Sequence, residues 1–214
     1  MTDKNKIKSA SKKPLPLNDI MPSSITTDNF RLPSKEVNTL YPLKSHPRTY
    51  QSNDVPTILF LSKRGMSRSP LAQEVMRNLI QKSSLFGRVR VSSRGVNIAY
   101  NDCAVDTRMQ TYASKIGLIL HSTAKFATVP DLANAALTIT MDADSEDFVK
   151  IHKHAIRGEV RPIGIFLQSG SEPYIKDPYD REDEEDVDER YDSIISSISF
   201  SCTKLLSVVP NLIL

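Results

Sequence analysis

The chain has 214 residues, a net charge of +3 and two Cys, which suits one α/β domain with a tail and excludes a disulfide-built secreted scaffold. It has no C-x-x-C pair for structural zinc, no secretory h-region behind its Lys-rich start, and no apolar run approaching the ~18 residues of a membrane span. No nucleic-acid partner, cofactor or metal is expected, and the default location is cytoplasmic, with an organelle left open.

Residues 1–56 hold seven of the thirteen Pro and no Gly, and carry nine Lys/Arg against five Asp/Glu. Only 16 of them are apolar or Tyr, too few to offset the entropy of ordering the segment. The composition predicts a basic, Pro-rich, mostly disordered extension at 1–56 and a folded domain at 57–214. A second reading makes the extension a docking segment for a protein partner, with Phe30, Leu32 and Leu40–Leu43 as its apolar part.

From Pro56 onward strands and helices alternate. Ile58-Leu59-Phe60-Leu61 reads as a strand buried on both faces of a parallel sheet. Ser69-Pro70 predicts a helix start, with Ser as N-cap and Pro at the first helical position. Arg88–Val91 is expected to be a strand, Asp106–Ile116 a helix closed by Gly117, and Ala135–Thr140 a third strand. Ser145–His154 predicts a helix and Val160–Ile163 a fourth strand. A final helix carries an apolar stripe from Val187 through Tyr191, Ile194, Ile195, Ile198, Cys202, Leu205 and Leu206 to Val209. Acidic residues crowd its first turns, which suits the helix dipole. The alternation predicts a doubly wound parallel sheet that binds ligands at the carboxyl ends of its strands.

The segment Ser62-Lys63-Arg64-Gly65-Met66-Ser67-Arg68-Ser69 lies at such an end and runs into a helix. Backbone N–H groups and the positive helix end would converge there on an anion, and Arg68 would add a planar fork for two oxygens. Gly65 would supply the left-handed backbone of a tight cradle. The same residues also fit an ordinary solvated βα loop.

Strand, Ser62, five residues and then Arg68-Ser69-Pro70 resemble the signature of the low-molecular-weight protein tyrosine phosphatases. Asp177-Pro178-Tyr179 resembles their general-acid motif, and Val91-Ser92-Ser93, Asp106-Thr107-Arg108 and Met141-Asp142 fall in family order. The resemblance implies a three-layer α/β/α fold around a four-stranded parallel sheet. It implies a phosphotyrosine substrate, a nucleophile at position 62, catalytic Arg68 and general acid Asp177. Lys63 to Ser69 would hold phosphate, and Tyr100 and Tyr179 would wall the substrate cleft.

The family's nucleophile is Cys, and this chain has Ser62. A Cys of ordinary pKa about 8.5 ionises among amides and an Arg, whereas a serine hydroxyl needs a partnered base. Ser67 stands where a second Cys is common, and Arg64-Gly65 where Gly-Asn is usual. A loop His falls at Ser122, beside His121, and a cleft aromatic falls near Ala99, beside Tyr100. Three readings follow. The first is a pseudophosphatase that binds phosphate or phosphotyrosine without turnover. The second is an active phosphatase, working weakly through Ser62 or a Cys-to-Ser form of an active enzyme. The third is a scaffold subunit docked through its tail.

Overall fold

The computed structural model describes residues 55–120, 123–167, 172–180 and 186–214. The expected extension therefore lies, but for Val55 and Pro56, outside the described residues, as do His121 and Ser122.

Strand β1 (Thr57–Ser62) is central, because Ile58, Leu59, Phe60 and Leu61 are apolar on both faces and all are fully buried. It pairs in parallel with β2 (Arg90–Gly95) on one side and β3 (Ala135–Thr140) on the other, and β4 (Glu159–Pro162) closes the far edge. The order is β2-β1-β3-β4. The chain leaves β1 toward one edge and returns to the other side of β1 as β3. That reversal opens a crevice beyond the carboxyl ends of β1 and β3.

Alternation along the strands divides the core. Ile58, Phe60, Leu137 and Ile139 face the larger cluster, which takes in α1 (Arg68–Gln81), α2 (Thr107–Lys115) and the last helix, α5 (Val187–Ile213). Leu59 and Leu61 face a smaller cluster with Leu132 of α3 (Val129–Asn134) and Val149 of α4 (Ala143–Ile151). Helices on both faces of one parallel sheet complete the three layers expected from the sequence.

Several boundaries differ from expectation. Helix α1 begins at Arg68, so Ser69 is not an N-cap but a residue of the first turn, and Pro70 is its third residue. Pro is tolerated there because first-turn N–H groups have no intrahelical acceptor. The second strand runs from Arg90 to Gly95 rather than Arg88 to Val91, since pairing with β1 carries it through two serines. Helix α3 was not expected; Thr128 and Asp131 cap it reciprocally. Helix α4 starts at Ala143 because Asp142 accepts from the Ser145 N–H, and it ends at Ile151, short of His154. Strand β4 ends at Pro162, one residue before the expected Ile163.

The expected stripe of α5 is buried at Tyr191, Ile194, Ile195, Ile198, Cys202, Leu205 and Val209, whereas Val187 at its start is exposed. By length and composition alone α5 could cross a membrane, with a mean hydropathy of 1.3 in its most apolar window. Its apolarity is accounted for by the stripe, which packs within the larger core and sets Cys202 Sγ 3.8 Å from the Ala72 carbonyl of α1.

Candidate functional site

The loop between β1 and α1 is fixed by backbone contact with the end of β2. Gly65 has φ +71, and a Cβ placed on it would stand 2.6 Å from the Gly95 nitrogen. A Cβ on Gly95 would meet the Arg64 carbonyl at 2.6 Å. Only two glycines allow this approach, and Gly65 also has the backbone conformation that other residues adopt with strain. Val96 N–H donates to the carbonyls of Ser62 and Lys63, and Asn97 N–H to that of Lys63. The loop is thereby tied down on its β2 side before any side chain is considered.

On the floor of the loop, Ser62 is buried and its Oγ lies 2.8 Å from Ser69 Oγ. It also accepts from the Gly65 N–H at 3.2 Å, and the Ser69 hydroxyl reaches the Arg94 carbonyl at 3.3 Å. The first turn of α1 has no side-chain cap, so its N–H groups face the loop at the positive end of the helix.

The rim is charged. Arg68 is 3% exposed, and its Nη2 donates to Asp142 Oδ2 at 2.7 Å and Asp177 Oδ2 at 2.6 Å. Its Nη1 donates to the Ile175 carbonyl at 2.7 Å and the Met141 carbonyl at 3.4 Å. Asp142 also accepts from the Lys63 N–H at 2.8 Å, so this N-cap of α4 joins the β3 loop to the β1 loop. Asp177 Oδ1 accepts from the Tyr179 N–H at 2.9 Å, which holds the Asp-Pro-Tyr turn in place.

Arg64 lies beside this pair. Its Nη1 is 2.8 Å from Asp177 Oδ2, without hydrogen-bond alignment. Its Cζ lies over the Tyr179 ring, 4.6 Å from the centroid, and over the Tyr100 ring at 5.6 Å. Burial opposes its charge, but the hydrogen bond to Tyr100 and the carboxylate of Asp177 more than offset this, and its pKa is raised.

Behind the rim, the Ser67 hydroxyl donates to Asp106 Oδ2 at 3.2 Å, and its Oγ lies 3.3 Å from Tyr179 Oη. The Asp106 N–H donates to the Met66 carbonyl at 2.9 Å, and Tyr191 Oη donates to Asp106 Oδ2 at 2.8 Å. Burial and this bond to Asp106 push the Tyr191 phenol well above its ordinary pKa, so it stays a donor. The Tyr191 ring stacks on Tyr112, whose hydroxyl bonds Asp188 at the start of α5.

The residues expected at the site thus converge: Ser62, Gly65, Ser67, Arg68 and Ser69 on the loop, Asp177 and Tyr179 on the turn, and Tyr100 beyond β2. Two of the residues expected to hold phosphate have their side chains engaged elsewhere. Lys63 turns outward to Asp144, 3.3 Å away with both partners well exposed, and Arg64 enters the slot between the tyrosines. Asp142 and Asp106 were not expected as site residues. Their signal in the sequence is the N-cap pattern, Asp142 three residues before Ser145 and Asp106 before Thr107.

A model of the low molecular weight phosphotyrosine protein phosphatases matches residues 57–211. The chain belongs to that family. Solved structures agree on the fold. YfkJ from Bacillus subtilis is 18% identical with a TM-score of 0.65, covering 75% of this chain and 98% of its own. A protein tyrosine phosphatase from Entamoeba histolytica is 19% identical with a TM-score of 0.65, covering 73% and 97%. DARP, an arginine phosphatase of Drosophila, is 20% identical with a TM-score of 0.61, covering 70% and 94%. No curated protein matches the chain.

Proposed function

We propose that this phosphatase-family domain binds a phosphoryl oxyanion in the Ser62–Ser69 loop without hydrolysing its ester. The observation that carries the reading is the setting of Ser62. Its hydroxyl is paired with Ser69 Oγ and the Gly65 N–H, and among the described residues no His, Lys or carboxylate is its partner. A serine without a base does not ionise near neutral pH, so the covalent half of the family chemistry has no nucleophile. Binding does not depend on sulfur. It needs the uncapped α1 terminus, the Gly65 turn and the Arg68 fork, and all of these are built into the loop.

Asp177, at the family's general-acid position, takes a structural part in this reading. Its Oδ2 is shared between Arg68 and Arg64, so it holds both guanidiniums at the rim. An arriving oxyanion competes with Asp177 for Arg68, which makes binding an exchange of one anion for another.

Calorimetric titration of the full chain with inorganic phosphate tests the reading, beside Arg68→Lys, which keeps the charge and loses the planar fork. Saturable binding by the unaltered chain, weakened about tenfold or more in Arg68→Lys, is the expected result. Absence of saturable binding by the unaltered chain, or equal binding by both, would overturn it.

A further inference from the structure

In the slot between Tyr100 and Tyr179 lies the chain's own Arg64. The guanidinium is planar, stands 4.6 Å from one ring centroid and 5.6 Å from the other, and closes on Asp177 at 2.8 Å. The side chain is 21% exposed, so three partners and the loop cover most of it. The backbone beneath cannot retreat easily, because the Arg64 carbonyl is packed against Gly95. Tyr179 is likewise held, by its N–H to Asp177 and its hydroxyl to Ser67. A flat cation between two aromatic faces occupies the volume a ligand's aromatic ring would need.

We infer that Arg64 is the specificity-determining residue of this site: it fills the aromatic slot, so the loop takes a small tetrahedral oxyanion and disfavours aryl phosphates. The inference rests on the loop being an anion cradle. A phosphate or sulfate ion needs only the loop N–H groups and the Arg68 fork, and leaves Arg64 in place. An aryl phosphate has to evict Arg64, which gives up two ring contacts and its carboxylate partner. The ring that enters regains stacking but not the charge pairing.

The test is a pair of titrations, inorganic phosphate and phenyl phosphate, on the unaltered chain, Arg64→Gly and Arg64→Ala. The unaltered chain is expected to bind inorganic phosphate more tightly than phenyl phosphate, by about tenfold or more. In both variants the ratio of the two affinities is expected to move toward phenyl phosphate by a similar factor. Arg64→Ala separates the side chain's removal from the extra backbone freedom of glycine. A ratio unchanged in both variants, or phenyl phosphate bound by the unaltered chain as tightly as inorganic phosphate, overturns the inference alone. A chain and variants that bind neither anion overturn the cradle reading with it.

Discussion

On the floor of the loop Ser62, Ser69 and Gly65 hold one another through neutral hydrogen bonds of 2.8 and 3.2 Å, whereas on the rim Arg64, Arg68, Asp142 and Asp177 are charged and paired at 2.6–2.8 Å. Hydrogen bonds between charged partners are roughly twice as strong as neutral ones. Strength and chemistry are therefore separated in this site. The rim holds β1, β3 and the Asp177 turn together, and in the proposed function it meets the anion. The floor is where a nucleophile would act, and its contribution to holding the structure is modest. On the proposed reading, a change at position 62 removes turnover while leaving the architecture of the rim intact.

Removing the central rim cation breaks this contrast most severely. Arg68→Ala leaves the carboxylates of Asp142 and Asp177, 13% and 8% exposed, without their shared guanidinium. A loss of about 3 kcal/mol or more in denaturant unfolding is expected, as for other buried pairs stripped of one member. A loss under about 1 kcal/mol would place the weight of the site elsewhere.

Forcing the loop off β2 comes next. In Gly65→Ala the added Cβ meets Gly95 at 2.6 Å in a left-handed conformation, and a cost of about 1–3 kcal/mol is expected, with weakened phosphate binding. Wild-type stability in that variant would mean that the loop does not need its close seat. On the floor, Ser69→Ala removes the bonds to Ser62 and the Arg94 carbonyl, and about 0.5–1.5 kcal/mol is expected by the same unfolding measurement. A floor substitution that costs more than Arg68→Ala would invert the ranking.

The parts of the site legible in the sequence are those set by local pattern. Strand β1 stands out because burial on both faces leaves an uninterrupted apolar run that ends at Ser62. Arg68, Asp177 and Tyr179 are found because they sit in motifs read as short strings. Strand β2 was placed too early because Ser92 and Ser93 interrupt its apolar signal, while their place in the strand comes from pairing with β1. Helix α3 has six residues, below what periodicity can show, and only its capping box marks it. Asp142 meets Lys63 across 79 positions and Asp106 meets Ser67 across 39, so their part in the site follows from the fold. Arg64 shows the same limit: its charge suggested a phosphate ligand, and only the placement of Tyr100 and Tyr179 sends it into the cleft.

The central claim, binding without turnover, is met most directly by p-nitrophenol release from p-nitrophenyl phosphate. It is measured on the unaltered chain and on Arg64→Gly, in which the ring's slot is open, each against Ser62→Ala. The account predicts that neither releases product faster than Ser62→Ala. Release above that level by either protein would show that Ser62 is a working nucleophile and would contradict it.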